Sequence, residues 1–253
     1  LGSGDIGMIM ARRMTLEGAK VLGVFEIQPY ASGLPRNIEQ CLNDYQIPLH
    51  LSHSVTEIRG VDRLESVVIS EVDDRLQPIP GTEKEYPCDT LILSVGLIPE
   101  NELTWMAGAK QDDGTKGASV DENFQTTVPG VFAAGNVLHV HDLVDFVSME
   151  AEELADGAAR YIKEGALPDC GLAITGDSMV GQLTPARFSG TGNVTVSFRM
   201  RKPVRNCTVE LWQGDHLVKQ KKFPKALPAE MIQIGLKPEE LNEKDNLEVR
   251  VVC

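Results

Sequence analysis

Hydrophobic and polar positions follow two different periods along the chain. Up to about residue 165, short apolar runs alternate with stretches whose apolar positions recur at helical spacing. This pattern predicts helices over 6–17, 34–47 and 148–165. It predicts strands over 20–26, 49–60, 64–72, 88–96 and 131–136. The strand–helix–strand order over residues 20–96 predicts a parallel sheet with an added hairpin.

After residue 193 the period changes to two. In NVTVSFRMR, apolar residues alternate with polar ones, and CTVELWQGDHLVKQKKF places two such runs around a Gly-Asp turn. Several short alternating strands in succession predict a small β-sandwich over 193–253. The segment 170–192, rich in Gly, Pro, Ser and Thr, is predicted to be a linker.

Charge and cysteine content exclude some classes of function. The net charge is −13, and it is unevenly distributed: residues 1–169 are strongly acidic, whereas residues 170–253 are net positive. Because most of the chain is acidic, general nucleic-acid binding is not expected. No apolar run is long enough to span a bilayer. The five cysteines are scattered without a C-x-x-C pair, which predicts reduced thiols in a cytoplasmic protein.

A glycine pattern at the start of the chain carries the first chemical signal. Gly2, Gly4 and Gly7 have the G-x-G-x-x-G spacing, in which the glycines permit a tight turn, close approach of a pyrophosphate and close helix packing. The helix that follows offers N–H groups to phosphates. The next predicted strand ends at Glu26, whose carboxylate suits a ribose 2′-hydroxyl and repels a 2′-phosphate. The sequence therefore favours NAD over NADP.

Two later motifs extend this interpretation. Together with the glycine turn, CDTLILSVGLIPEN and FQTTVPGVFAAGN resemble the pyridine nucleotide–flavin oxidoreductases, which include thioredoxin reductase and dihydrolipoamide dehydrogenase. The resemblance covers roughly residues 1–165 and implies FAD and NAD as cofactors. It implies an α/β fold with a Rossmann-like NAD domain over 1–95 and the C-terminal half of an FAD domain over 96–169, ahead of the linker and the all-β sandwich. On this view the chain begins inside the NAD domain, and residues 1–253 alone are not expected to hold FAD tightly.

The resemblance also implies site residues. The NAD site would comprise Gly2, Gly4, Asp5, Ile6, Gly7, Glu26 and Gly96, and the FAD site would comprise Gly135, Asn136, Asp145, Phe146 and Val147. Three features depart from the family pattern. Asn136 replaces an Asp, Ile9 replaces a Glu near the nicotinamide, and Asp5 replaces an aromatic residue that gates the flavin in some relatives. Without a C-x-x-C pair, a disulfide relay in the NAD domain is not expected.

The stretch GNVLHVHDLVDF places two histidines directly after the flavin-binding motif. One interpretation is that His139 and His141 hydrogen-bond to the backbone and shape a loop. Another is that His141 exchanges a proton during catalysis. A third is a metal site, for which the sequence shows no further clustered ligand, and no metal is predicted.

Two classes of function follow from these motifs. The first is an FAD-dependent NAD(H) oxidoreductase that passes hydride or electrons between nicotinamide and flavin and on to an unidentified small-molecule acceptor or partner dehydrogenase. Together with GSGDIGMIMARRMTLEGAKV and YPCDTLILSVGLIPENEL, the stretch GNVLHVHDLVD resembles a bacterial group of FAD-dependent oxidoreductases that are associated with an anaerobic glycerol-3-phosphate dehydrogenase. The alternative is a non-catalytic assembly or electron-transfer subunit. The lysines and arginines of the β-domain are either a solvated face or a docking site, for an acidic protein or for the chain's own acidic body.

Overall fold

The computed structural model describes residues 1–253, which fold as two compact units, Leu1–Gly96 and Leu97–Cys253. The elements of the first unit are α1 (Asp5–Leu16), β1 (Val24–Glu26), α2 (Pro35–Asn37), β2 (Leu49–Leu51), β3 (His53–Arg59), β4 (Ser66–Glu71) and β5 (Lys84–Pro87). Strand β1 pairs in parallel with β2, and β3, β4 and β5 form an antiparallel sheet with β4 in the middle. The parallel pair and the added antiparallel strands confirm this part of the predicted fold.

Helix α1 is the element that presents the glycine turn. Gly4 is its N-cap residue, and Asp5 in the first turn complements the positive end of the helix dipole. Met8 and Ala11, three positions apart, face a core with Val24 and Leu42. Gly18, with φ +91°, ends the helix at the position predicted from the sequence.

The second predicted helix is broken into three short pieces. Residues 35–37 are α-helical, Ile38–Leu42 form a π turn and Asn43–Tyr45 form a 3₁₀ turn. The adjacent residues Cys41 and Leu42 are both buried. The apolar spacing therefore identified the buried side of this segment, but not the change of winding along it.

The strand predicted over 88–96 is not formed. This segment makes backbone hydrogen bonds with Leu1, from Leu1 N to Ile92 O and from Ser94 N to Leu1 O, both 2.7 Å long. A strand needs a ladder of successive paired residues, and here both bonds go to Leu1, while the next residue, Gly2, donates its N–H to Phe25 O of β1 at 2.7 Å.

The second unit combines helices with a β-sandwich. Its elements are α3 (Glu102–Met106), α4 (Val144–Glu164), β6 (Leu172–Gly176), β7 (Val180–Thr184), β8 (Arg187–Phe188), β9 (Val194–Met200), β10 (Val204–Gln213), β11 (His216–Ala226), β12 (Ile232–Leu236) and β13 (Leu247–Val252). The predicted strand over 131–136 is absent, and Gly135–Val137 is a 3₁₀ turn. Neither α4 nor any other helix has the length and apolar character needed to cross a bilayer.

The prediction of a linker over 170–192 is wrong. Strand β6 pairs with β13 and β8, and β7 pairs with β9, so these residues belong to the sandwich. Ile174, Val180 and Phe188 lie in its core. The many small polar residues misled the prediction because these strands are short and joined by tight turns.

Two sheets, ordered β11-β10-β13-β6-β8 and β12-β9-β7, form the sandwich. Their inward residues share one core, in which Val196, Phe198, Val209, Leu211 and Val249 are completely buried. The period-two alternation after residue 193 therefore identified the sandwich correctly, and only its first strands were missed.

Candidate functional site

In the first unit, two glycines of the turn lie where no side chain fits. Gly2 has φ +95°, and a Cβ there would overlap the carbonyl oxygen of Ser94. A Cβ at Gly7 would lie 2.8 Å from both the Gly2 oxygen and the Ser94 side chain. The turn and α1 are therefore packed tightly against the segment that contains Ser94.

Gly4 differs from both of these glycines. Its backbone is ordinary, with φ −62° and ψ 163°, and a Cβ built there meets nothing within 4 Å. The protein itself does not require glycine at this position. Because no side chain caps α1, the first N–H groups of the helix lack intrahelical partners beside this open space. This arrangement suits an anion that approaches the backbone closely.

Glu26 fastens the turn to the loop that follows β1. The residue is 5% exposed, and its Oε2 accepts hydrogen bonds from Ser3 N at 2.9 Å, Ser3 Oγ at 2.5 Å and Ser32 Oγ at 3.0 Å. Its Oε1 accepts the N–H of Gln28 at 2.9 Å. A carboxylate oxygen has two lone pairs, so Oε1 can accept a second donor.

The other residues predicted for the NAD site have different surroundings. Oδ1 of Asp5 accepts Leu34 N at 2.8 Å and Asn37 Nδ2 at 2.7 Å, so Asp5 braces the chain after the loop. Ile6 is two-thirds exposed. Gly96, with φ +97°, is the last residue of the first unit. Their roles toward NAD stay predictions.

A cavity of about 590 Å³ borders α1 at Gly7, Ala11 and Met14. Its walls are mixed, with apolar side chains beside polar residues such as Lys20 and Ser94, and Gly4 is not among them. Because a pyrophosphate binds at the first N–H groups of a helix, the open side of Gly4 is the better candidate for nucleotide binding.

In the second unit, the structure brings both histidines of the HVH stretch to one carboxylate. Nε2 of His139 lies 2.9 Å from Oε2 of Glu150, and Nε2 of His141 lies 3.0 Å from the same oxygen. The two rings stack with their centroids 4.0 Å apart. The other carboxylate oxygen accepts the N–H of Gly135 at 2.5 Å. We call His139, His141 and Glu150 the HHE cluster.

The charge state of Glu150 follows from these contacts. Burial by itself raises the pKa of this carboxyl, but the hydrogen bonds from His139 and His141 outweigh it and lower the pKa to about 2. The carboxylate is therefore ionised at neutral pH, inside a cluster whose three side chains are at most 10% exposed.

Asn136 sets the orientation of one ring. Its Oδ1 accepts the backbone N–H of His141 at 3.1 Å and lies 3.3 Å from Nδ1 of the same residue. The expectation that the histidine rings bond to the backbone is therefore wrong, because both rings contact side chains. No nitrogen of His141 faces an outside substrate, so its acid/base role stays a prediction with little geometric support.

The predicted flavin-capping residues lie at the start of α4. Asp145, Phe146 and Val147 occupy its first turn rather than a separate turn, and Leu143 is an N-cap without a side-chain cap. A Cβ on Gly135, which has φ +74°, would lie 3.4 Å from Val147. The start of α4 and the Gly135 turn are therefore neighbours, as a shared cofactor site would need.

Glu150 is the residue that sequence reasoning missed. It lies on α4 seven positions before Gly157, and these are the two buried residues of the helix. Gly157 packs against Asn123, and a Cβ there would lie 2.7 Å from the Asn123 oxygen. Residues seven apart share a helix face, so Glu150 and Gly157 lie on the same face of α4. A carboxylate on a face that packs closely through a glycine was the signal in the sequence that pointed to Glu150.

Comparison with known proteins agrees with this geometry. The chain is 27% identical over 219 residues to an NADH oxidase of Methanocaldococcus jannaschii, which covers 80% of this chain and 44% of that protein. It is 28% identical to the mitochondrial dihydrolipoyl dehydrogenase of Caenorhabditis elegans, over 54% of this chain and 32% of that enzyme. The chain thus spans less than half the length of these curated relatives.

A solved structure and a family model support the same assignment. The crystal structure of T. acidophilum thioredoxin reductase matches 65% of this chain and 51% of that chain, with a TM-score of 0.54 and 27% identity. Residues 1–160, which include both the glycine turn and the HHE cluster, match the family model described as pyridine nucleotide-disulphide oxidoreductase. The chain therefore belongs to the pyridine nucleotide-disulphide oxidoreductase family.

Proposed function

We propose that the protein is an FAD-dependent NAD(H) oxidoreductase that passes hydride between nicotinamide and flavin. The observation that carries the proposal is the glycine turn. Gly2 and Gly7 are glycines because the protein leaves no room for a side chain, whereas Gly4 adjoins open space at the start of α1. A pyrophosphate on that side explains why Gly4 also lacks a side chain.

The Gly135 turn and the start of α4 fit a flavin. The uncapped N–H groups of α4 offer positive potential. Asn136 is exposed and uses its Oδ1 for His141, which leaves Nδ2 to donate to a ribityl hydroxyl. Bound FAD would supply the hydride-accepting centre, while these residues would bind and orient it.

The experiment for the NAD site compares two glycine-to-alanine variants of the intact protein. Gly4→Ala places a methyl group in the open space, and we expect the KM for NADH to rise about tenfold or more, since 1.4 kcal/mol of lost binding is tenfold. Gly235→Ala in β12 is the matched control, because its Cβ also meets nothing within 4 Å and its φ is not positive. Anaerobic bleaching of the yellow flavin by NADH gives the rate.

Equal KM values in both variants would contradict the proposed NAD site. If the intact protein bound FAD but NADH reduced no acceptor, alone or with redox partners, the alternative of a non-catalytic assembly or electron-transfer subunit would be supported instead. The departures from the family pattern at Asn136 and Ile9 are what motivate that alternative.

The proposal also includes a partner protein with which the enzyme would exchange electrons. The GNVLHVHDLVD stretch favours a partner dehydrogenase of the anaerobic glycerol-3-phosphate type, and β11 offers an edge strand with exposed lysines to an acidic protein. Complex formation that weakens steeply with added salt would support this docking. A cytoplasmic location agrees with all five cysteines being free thiols.

A further inference from the structure

The HHE cluster has an arrangement of donors that the proposed hydride transfer does not use. Two imidazole nitrogens and one carboxylate oxygen lie together in a buried position, and these ligand atoms are all within 4.8 Å of one another. The histidines come from the loop after Gly135, and the carboxylate comes from α4. The cluster therefore joins two separate parts of the second unit.

The hydrogen bonds around Asn136 determine where the proton of His141 lies. Because Oδ1 of Asn136 accepts the backbone N–H of His141, the amide oxygen is fixed toward the ring. Nδ1 of His141, 3.3 Å from this oxygen, must then carry its hydrogen and donate. In the neutral imidazole this leaves a lone pair on Nε2.

The contact between His141 and Glu150 has room for one cation. Nε2 of His141 lies 3.0 Å from Oε2 of Glu150, and either a proton or a metal ion between these two atoms offsets the repulsion of their lone pairs. The buried Nδ1 of His139 has no partner, so without a metal a hydrogen on its Nε2 donates to the same oxygen at 2.9 Å. When a metal ion takes the place of that hydrogen, the hydrogen shifts to Nδ1 and Nε2 of His139 becomes a ligand atom as well.

We propose that His139, His141 and Glu150 bind one divalent transition-metal ion of the zinc type through Nε2, Nε2 and Oε2. Two histidines and one carboxylate are a donor set used by zinc. Zinc–ligand distances near 2.1 Å separate tetrahedral donor atoms by about 3.4 Å. The observed Nε2–Oε2 separations of 2.9 and 3.0 Å would need to open by about half an ångström, and the two Nε2 atoms lie within 4.8 Å of each other.

The hydrogen bonds that the protein makes to the proposed ligands also suit a metal site. Asn136 orients His141 through Nδ1, and Gly135 N–H holds the second oxygen of Glu150, so two of the three ligands are held in place from behind. Such outer contacts typically accompany metal ligands. The ion would tie the Gly135–His141 loop to α4, which is a structural role separate from hydride transfer.

The experiment measures zinc binding and does not depend on flavin reduction. Protein treated with a chelator is titrated with Zn²⁺ in competition with a chromophoric chelator. We expect one equivalent to bind with submicromolar affinity, and Glu150→Gln to weaken this binding by about 100-fold or more. In this variant the amide oxygen still accepts from Gly135 and the amide NH₂ can donate to the histidine lone pairs, so we expect the fold to persist.

The matched control uses the other histidine pair of the chain. The rings of His50 and His53 also lie close together, with centroids 5.6 Å apart, but without a shared carboxylate. The double variant His50→Asn/His53→Asn should bind zinc like the wild type. Wild-type protein that binds no zinc, or a control variant that loses it, would overturn the proposal.

A second measurement needs no variant, in case Glu150→Gln fails to fold. X-ray absorption of the zinc-loaded wild type should show two imidazole nitrogens and oxygen ligands. Sulfur ligands would place the ion on cysteines, and a shell without imidazole would place it on the surface. Either result would refute the site while leaving the proposed oxidoreductase activity untouched, because NADH-dependent bleaching is measured separately.

Discussion

At the scale of single residues, Glu26 has two tasks. It holds the glycine turn through Ser3 and the following loop through Gln28, so its charge is already balanced by protein donors. The same carboxylate is the residue expected to choose between NAD and NADP, because a 2′-phosphate beside it would be repelled.

Glu26→Gln tests that choice. We expect the preference for NADH over NADPH, expressed as the ratio of kcat/KM values, to narrow by about tenfold or more, since removal of one nearby charge is worth at least about 1.4 kcal/mol in a partly buried site. Glu71→Gln, at the exposed end of β4, is the control. If both variants kept the wild-type ratio, Glu26 would be a structural residue only.

At the scale of elements, local patterns were predictable and long-range partners were not. Helix α1 and its end at Gly18 follow from caps and spacing that lie within one stretch of sequence. The strand expected over 88–96 failed because its pairing depends on Leu1, about ninety residues away. The glycine turn was found from spacing alone, whereas Glu150 was missed because only the packing of α4 brings it to the histidines.

The sandwich holds the loop that carries those histidines. Arg199 of β9 donates to the carbonyl of Val140 at 3.0 Å and to that of Pro228 at 3.2 Å, and it forms an ion pair with Asp142. The second oxygen of Asp142 accepts the N–H of Met231 at 2.8 Å. Arg199, which the sequence placed on a solvated or docking face, therefore contacts the chain's own acidic loop.

Arg199→Met should loosen this loop. The substitution removes the ion pair with Asp142 and the hydrogen bonds to the Val140 and Pro228 carbonyls, and each such hydrogen bond contributes about 1 kcal/mol. We expect amide hydrogen exchange of residues 137–143, followed by mass spectrometry, to accelerate by about tenfold. Arg205→Met, at the exposed start of β10, should leave that exchange unchanged. Equal exchange in both variants would show that the loop holds its position without Arg199.

At the scale of the whole molecule, stability is divided among separate cores. The sandwich core draws its residues from β6 to β13, whereas the cores around α1 and around β4 draw theirs from the first unit. Cooperative unfolding follows shared buried contacts, so the two units should respond separately to a change in one core.

Leu211→Ala is the corresponding test. Leu211 on β10 is completely buried in the sandwich, and truncation of such a side chain lowers the free energy of unfolding by about 2–5 kcal/mol. We expect faster hydrogen exchange in peptides from 172–252 and unchanged exchange in peptides from 1–96. Thr208→Ala, on the outward side of the same strand, should change neither set of peptides. Faster exchange in both units after Leu211→Ala would mean that they unfold as one, and the glycine turn would then depend on the sandwich for its stability.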